Sequence, residues 1–168
     1  MAQVAHPMTG WDSNGSSSML GKEPIFTIHA RLDAINNLGR TPYGERRVIG
    51  IVGGTVRGPR LAGNILPGGA DWQIIRADGA ADIRARYVIE TDEGARIMVT
   101  SEGLRHGPPE IMEKLARGDN VDPALYYFRT VMRFETSDPA VDWLNRILAL
   151  ARGQREARAV RLDVYEVK

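Results

Sequence analysis

The sequence contains no cysteine and only three histidines among its 168 residues. Without cysteine the chain has no disulfide framework, no thiolate zinc site and no cysteine nucleophile, and this composition fits a reducing compartment. The histidines, His6, His29 and His106, are far apart, and none has the His-x-His or HExxH spacing of a metal site. We therefore expect no metal ion.

Long apolar runs and an excess of charge of one sign are also missing. No stretch approaches the roughly 18 apolar residues of a transmembrane helix, and the first 24 residues lack the apolar core of a signal peptide. Lys and Arg number 22 against 21 Asp and Glu, so the net charge gives no general attraction to nucleic acid or to an anionic membrane. The sequence predicts a cytoplasmic protein whose partner is a small molecule, and a homo-oligomer remains open.

Glycine is abundant in one segment, where nine of the 18 glycines lie between Gly39 and Gly69. The segment has no Gly-Lys-Ser/Thr ending and no amphipathic helix after it, which argues against a P-loop or a dinucleotide fold. The chain also lacks the Gly-x-Ser-x-Gly turn of a hydrolase. We expect no cofactor, and we interpret Gly53 and Gly54 as sites of strand bending, bulging or close backbone approach.

Most of the chain alternates apolar and polar residues with a period of two, which is typical of half-buried strands. Strands are predicted at residues 26–33, 45–57, 71–77, 81–91, 95–102, 126–135, 143–151 and 159–167. Segment 143–151 also fits a helical period, but its flanking strands favour a strand. Strands do not alternate with helices, which favours an antiparallel barrel or sandwich over a parallel sheet.

Two further segments complete the predicted organisation. A single short helix begins at Pro108-Pro109 and ends at Gly118, and it is expected at a rim or an end of the sheet. Residues 1–23 are polar and of low complexity, which predicts a flexible arm outside a single domain at residues 24–168. The predicted class is all-β, a closed antiparallel barrel of about eight strands with one short helix at the rim.

Several sequence blocks resemble a family of bacterial and fungal proteins known as domain of unknown function 3237. The blocks are Arg46–Gly54, Gly58–Trp72, Ala85–Tyr87, Thr91–Gly94, Tyr127–Arg129, Phe134–Thr136, Asp142–Asn145 and Val164–Val167. The resemblance implies an antiparallel β-barrel of about eight strands with a central cavity. It implies no reaction and no catalytic residue.

The predicted strands carry charged residues on one face and apolar residues on the other. Either the charges are solvated, or some of them lie inside a partly polar cavity, where each would need a counter-charge or a ligand. Asp71-Trp72 and Asp142-Trp143 both place an Asp before a Trp at a predicted strand start. Either the carboxylates serve as turn acceptors and the tryptophans plug the barrel, or a desolvated Asp71 acts as a general acid or base.

These patterns give a list of candidate site residues. Asp71 is the predicted catalytic residue. The predicted substrate-binding residues are Trp72, Arg86, Glu90, Arg129, Trp143 and Asn145. Asp71 is expected to face the cavity because it lies between a glycine turn and Trp72. Arg129 is expected to face it from the charged side of an aromatic-rich strand, where its planar fork could hold a ligand anion.

The sequence favours two classes of function, and a purely structural, oligomer-forming protein is a third that stays open. One is a cofactor-independent acid–base enzyme of the isomerase, cyclase, hydratase or decarboxylase type, acting on an apolar oxygenated or aromatic compound. The other is a lipocalin-like protein that binds a similar ligand without converting it, because aromatic walls with a few fixed polar groups suit both.

Overall fold

The computed structural model describes residues 18–168 and contains nine β-strands, one α-helix and two short 3-10 helices. The strands are β1 (Phe26–Thr41), β2 (Gly44–Arg57), β3 (Ala62–Ile65), β4 (Gly69–Ile75), β5 (Ala81–Thr91), β6 (Arg96–His106), β7 (Tyr127–Glu135), β8 (Ala149–Arg155) and β9 (Ala159–Glu166). The helix α1 spans Pro109–Arg117, and the 3-10 helices span Pro123–Leu125 and Asp142–Arg146.

The strands form one closed antiparallel sheet. Strand β1 pairs with both β2 and β9, while β3 and β4 both lie between β2 and β5. Nine strands therefore occupy eight positions around the barrel, which confirms the predicted barrel of about eight strands. Each of the nine described strands pairs on both sides over part of its length, while β1 beyond Leu32 pairs with β2 alone.

The two-residue period of the strands decides which side chains fill the barrel. In β5, alternate residues from Ile83 to Ile89 are buried, while Arg84 and Arg86 on the opposite face are exposed. The same alternation fills the interior from β1, β6 and β7. Each large aliphatic side chain buried in this way contributes about 1.5–3 kcal/mol, so the apolar face holds the barrel together.

The two ends of the barrel are built differently. At one end Phe26 and Phe134 meet edge to face, with ring centres 5.7 Å apart, and the fully buried Leu144 lies in the 3-10 helix Asp142–Arg146. At the other end, where β6 and β8 finish, α1 places Leu115 in the core and borders an open depression. We call these the closed end and the open end.

Helix α1 has the predicted bounds and lies at the predicted rim. Pro109 begins it, and Gly118 ends it in a left-handed conformation at φ 83°. The Gly118 N–H donates to the carbonyl of Leu115, and the Asp119 N–H donates to the carbonyl of Lys114. These bonds satisfy carbonyls that the end of a helix otherwise leaves free.

Segment 143–151 corrects one secondary-structure prediction. Residues Asp142–Arg146 form a 3-10 helix, and the strand begins only at Ala149. The helical period of the segment therefore indicated a real helix in its first half, and this 3-10 helix buries Leu144 completely. The short strand β3 was not predicted, since four residues are too few to show a period.

The chain ahead of β1 contacts the barrel within the described residues. Leu20 forms a bridge with Val167, and the Lys168 N–H donates to the carbonyl of Met19 at 2.8 Å. The predicted arm of residues 1–23 is therefore corrected at residues 19–21, which pair with the C-terminal strand. The rest of that prediction, at residues 1–17, lies outside the described residues. No helix in the described part of the chain is long and apolar enough to span a membrane.

A β-bulge in β2 confirms the interpretation of the glycine pair. Arg31 pairs with Gly53 and Leu32 with Ile51, which leaves Val52 as the extra residue. Gly54 has a φ of 141°, and a Cβ built on it would lie 2.1 Å from the carbonyl oxygen of His29. No side chain fits there without a shift of the β1 backbone.

We predict that Gly54→Ala destabilises the protein by about 2 kcal/mol or more, because the added methyl group collides with backbone rather than with a movable side chain. The matched control is Gly50→Ala in the same strand, where the new Cβ would lie 3.4 Å from the Cβ of Asp33 and the cost should be within about 0.5 kcal/mol. Urea unfolding of both variants measures the difference. Equal midpoints for the two variants would contradict the close approach at Gly54.

Candidate functional site at the open end of the barrel

Near the open end, a group of polar side chains points into the otherwise apolar interior. Its members come from five neighbouring strands: Asp71, Gln73, Tyr87, Ser101, Arg105, Thr130 and Arg155. Within one strand, side chains two or four residues apart point to the same face. Between strands, Asp71 of β4 and Ser101 of β6 both pair with Ala85 of β5, so they lie in one row across the sheet. Residues distant in sequence thus meet at one depth of the barrel.

Two neighbouring spaces lie beside this group. The inner space, the chamber, has a volume of about 40 Å³ and lies within the barrel. The outer space, the basin, has a volume of about 630 Å³ and opens to solvent beside α1. Gln73, Arg105 and Arg155 line both spaces, and we call these three residues the neck.

The basin has apolar walls and a charged rim. Its apolar lining includes Ile35, Ile49, Ile75, Met112 and Leu115. Its rim carries Asp33, Arg47, Glu113 and Arg158. A basin of this volume is within the range of small-molecule sites, which combine apolar walls with a few placed polar groups.

Asp71 is held by two hydrogen bonds inside the barrel. Its Oδ2 accepts from Nε2 of Gln73 at 2.6 Å, and its Oδ1 accepts from the backbone N–H of Arg84 at 3.0 Å. The pairing of β4 with β5 skips the positions between Asp71–Ala85 and Ile74–Asp82, so the carboxylate replaces a backbone acceptor for Arg84.

Burial raises the pKa of Asp71 above its ordinary value of 3.8, because desolvation disfavours the ionised form. The hydrogen bonds from Gln73 and Arg84 and the positive charges of Arg105 and Arg155 offset this rise only in part. The carboxyl group is thereby shifted toward the pH range in which general acids and bases work.

Two guanidinium groups act on this one carboxyl group by their charge, that of the buried Arg105 and that of the half-buried Arg155. Burial, with the nearby charge of Arg155, lowers the pKa of Arg105 to about 10, and burial also lowers the pKa of Arg155. Arg155 donates to the backbone carbonyls of Glu156 and Ala159. Among residues 18–168, neither arginine has a carboxylate oxygen within 4.0 Å.

Four buried polar atoms beside the chamber lack a hydrogen-bond partner within residues 18–168. They are Oε1 of Gln73, the hydroxyl of Tyr87, Nε of Arg105 and Oγ1 of Thr130, and all four residues line the chamber. An unsatisfied buried polar group costs about 1–3 kcal/mol, and native proteins contain few of them. Their convergence on one small space marks the chamber as the place where a polar group would bind.

Only Asp71 among the predicted site residues lies in this interior. Trp72 is half exposed on the outer face, and Arg86 is exposed. Glu90 forms an ion pair with Arg96 on the outer face at 3.1 Å. Each of these three residues is next in sequence to an inward-facing residue of its strand. Because successive side chains of a strand point to opposite faces, the three point outward.

Arg129 also lies outside the barrel, so the expectation that it faces a cavity with Asp71 is wrong. Its neighbours Phe128 and Thr130 point inward, and its own Nη1 donates to the carbonyl of Phe128 at 2.8 Å. The charged face of the strands is therefore the outer face, at Arg86 and Arg129 alike.

Trp143 and Asn145 lie at the closed end, away from Asp71. The guanidinium of Arg60 stacks 3.7 Å from the ring centre of Trp143. Asn145 accepts from the N–H of Thr136 and donates to its carbonyl, both at 2.9 Å. The structure gives both residues a role in holding the end of β7 and the 3-10 helix, and it does not bring them near the chamber.

Sequence reasoning missed Gln73, Arg105 and Arg155. The signal for Arg105 was present, since it is in phase with the buried residues Ile97, Val99 and Ser101 of β6. The predicted strand ends at residue 102, before Arg105, so the prediction did not assign Arg105 to either face of the sheet. Gln73 follows Asp71 by two residues and therefore shares its face.

The fold and this cluster together define a closed antiparallel β-barrel with a polar site inside one end. The chain belongs to the family described as protein of unknown function (DUF3237), whose model matches residues 21–167. It is 44% identical over 143 residues to the UPF0311 protein RPA1785 of Rhodopseudomonas palustris, which covers 85% of this chain and 94% of that protein.

Solved structures share the architecture. The crystal structure of the Rhodopseudomonas palustris protein superposes with a TM-score of 0.83 at 43% identity, over 89% of this chain and 97% of that one. A β-barrel-like protein of Acinetobacter baumannii gives a TM-score of 0.77 at 44% identity, over 89% and 95%. A structure described as an enzyme from Penicillium herquei gives 0.67 at 20% identity, over 89% and 95%, which establishes a shared fold alone.

We predict that Asp71 makes stability depend on pH. A carboxyl group with a raised pKa in the folded state stabilises the fold below its unfolded pKa and loses that contribution as pH rises through the folded value. The stability of wild type should therefore fall relative to Asp71→Asn as pH rises from about 4, by at most ~1.4 kcal/mol per pH unit. Urea unfolding at a series of pH values measures this difference.

The control for this experiment is Asp92→Asn in the exposed turn between β5 and β6. That variant should differ from wild type by less than about 0.5 kcal/mol, because its side chain is exposed. If Asp71→Asn runs parallel to wild type across the pH series, the carboxyl group of Asp71 does not have a raised pKa.

Proposed function

We propose that this protein is a cofactor-independent acid–base enzyme that acts on a small, largely apolar, oxygenated compound held in the basin. The observation that carries the proposal is the convergence of Asp71 with the unpaired polar atoms of Gln73, Tyr87 and Arg105 beside one chamber. Asp71 is the proton-transfer group, and Arg105 is the anion anchor in place of Arg129. The compound enters from the open end beside α1.

The chemistry follows from the charges of these groups. In the ionised form, Asp71 takes a proton from a carbon next to a carbonyl; the C–H electron pair becomes a C=C bond, and the π pair of the carbonyl moves to its oxygen to form an enolate. The Nε–H of Arg105 and the hydroxyl of Tyr87 are donors that a developing oxyanion needs. Return of the proton to a different atom completes an isomerisation, and the same groups suit cyclisation, hydration or decarboxylation.

Gln73 acts as a positioning residue for the proposed base. Its Nε2 donates to Oδ2 of Asp71, while the Arg84 N–H occupies Oδ1. Each oxygen retains one lone pair for a proton. The carboxyl group is thus fixed in direction and still able to exchange a proton, which is what a general base requires.

A lipocalin-like binding protein is the second candidate. The open basin with apolar walls favours it, because ligand binding in the mouth of a barrel needs no reactive group. The two candidates share the ligand and differ in whether wild-type protein converts it.

Thermal-shift screening of wild type with enolisable aromatic carboxylates, ketones and enols identifies compounds that stabilise the fold. With such a compound, Asp71→Asn should lower turnover by about 10²-fold or more. Binding should weaken much less than turnover, because Asn keeps the side-chain shape and an acceptor for the Arg84 N–H, although its Nδ2 would face Nε2 of Gln73 and turn that amide round. The control is Arg129→Lys on the outer face, which should behave as wild type.

Two experimental outcomes would contradict the proposal of an enzyme. If wild type binds a stabilising compound and leaves it unconverted, the protein is a binder. If Asp71→Asn turns the compound over as fast as wild type, Asp71 is not the proton-transfer group.

A further inference from the structure

We propose that the neck selects its ligand by a carboxylate that carries a neighbouring hydroxyl, so that the substrates are small 2-hydroxy carboxylates, or their enolic equivalents, with an apolar body. This inference rests on the proposed function only in placing the ligand in the basin. It adds the chemical class of the ligand and its orientation, with the charged group toward the chamber.

Charge at the neck favours an anion. Arg105 and Arg155 line both the basin and the chamber, and within the described residues Asp71 is the one carboxyl group lining the chamber. Neither arginine has a carboxylate within 4.0 Å in residues 18–168. A buried cation without a partner is costly, and a ligand carboxylate can supply the missing charge through parallel hydrogen bonds.

The hydrogen-bonding groups of Arg105 and Gln73 restrict the chemical class of the ligand further. The Nε–H of Arg105 needs an acceptor, which a carboxylate provides. Gln73 turns its Nε2 toward Asp71, so its unpaired Oε1 is the end of the amide left for the chamber. That oxygen accepts and cannot donate, so it would repel a bare carboxylate and bind a hydroxyl. A carboxylate beside a hydroxyl satisfies both groups.

Size fixes the orientation. The chamber, at about 40 Å³, has room for roughly one to three water-sized groups, which is enough for a carboxylate and too little for a ring. The basin, at about 630 Å³, accommodates an aromatic or aliphatic body against Ile49, Ile75 and Met112. The ligand therefore enters with its polar group first.

The outer surface offers a contrast. A groove of about 730 Å³ across β6–β9 contains Tyr127, Arg129 and Arg152, and Arg129 directly opposes Arg152. Apart from Thr130, whose Oγ1 belongs to the chamber, the groove has none of the residues with unpaired buried polar atoms. Arg129 is therefore a suitable arginine for a control variant.

The test is calorimetric titration of the full chain with mandelate, phenylacetate and mandelamide. Mandelate has both groups, phenylacetate lacks the hydroxyl, and mandelamide lacks the charge. Wild type should bind mandelate at least about tenfold more tightly than mandelamide, and several-fold more tightly than phenylacetate. Arg105→Met and Gln73→Glu should each weaken mandelate binding by about tenfold or more, the second by charge repulsion.

Controls separate lost recognition from lost folding. Arg129→Met should bind mandelate as wild type does. Arg155→Met repeats the test at the second neck arginine if Arg105→Met fails to fold, as judged by circular dichroism, and it should weaken mandelate binding in the same direction.

Several outcomes overturn the inference, and they differ from failure of the proposed function. Equal binding of mandelate and mandelamide, no binding of any of the three probes at millimolar concentration, or mandelate binding that survives both arginine variants would overturn it. Asp71-dependent turnover of a neutral compound would then leave the proposed function standing. Conversely, if mandelate binding depends on Arg105 but the protein converts no compound, the inference is supported and the proposal of an enzyme is contradicted.

Discussion

Closure of the sheet sends alternate side chains of its strands into one narrow interior, apart from the exposed part of β1 beyond Leu32. In a barrel of eight positions that interior is just wide enough for side chains to fill, so each inward residue must either pack or find a polar partner. From Phe26 to the 3-10 helix at Leu144, the closed end meets this requirement with aromatic and aliphatic groups. The open end does not, because Asp71, Gln73 and Arg105 occupy inward positions of β4 and β6.

This division separates the part of the interior that stabilises the fold from the part that we propose binds a ligand. Apolar burial at the closed end and along the barrel stabilises a fold that can then tolerate desolvated charges near its mouth. Those charges lower the stability of the free protein, since unpaired buried polar groups are unfavourable. A ligand that pairs with them recovers part of this free energy on binding, which is why a strained polar interior is a useful basis for recognition.

The fold was more predictable than the site, and particular residues show why. Period two in residues 81–91 and 126–135 reports directly which face is buried, and the structure buries that face. A site also requires knowing which inward positions of different strands share a level, and register is set by turns and bulges such as the one at Val52. Arg105 had a readable phase within β6, but its proximity to Asp71 depends on the registers of three strands.

The two Asp-Trp pairs show that the surrounding backbone decides the environment of an Asp side chain. In β4, Asp71 is inward and Trp72 outward, so the carboxyl group is desolvated and its pKa is raised. Asp142 begins a 3-10 helix and pairs with Arg146 at 3.2 Å on the surface. Water screens that pair, which therefore contributes little. The same dipeptide thus gives a candidate proton-transfer group in one place and a surface ion pair in the other, and the backbone around it makes the difference.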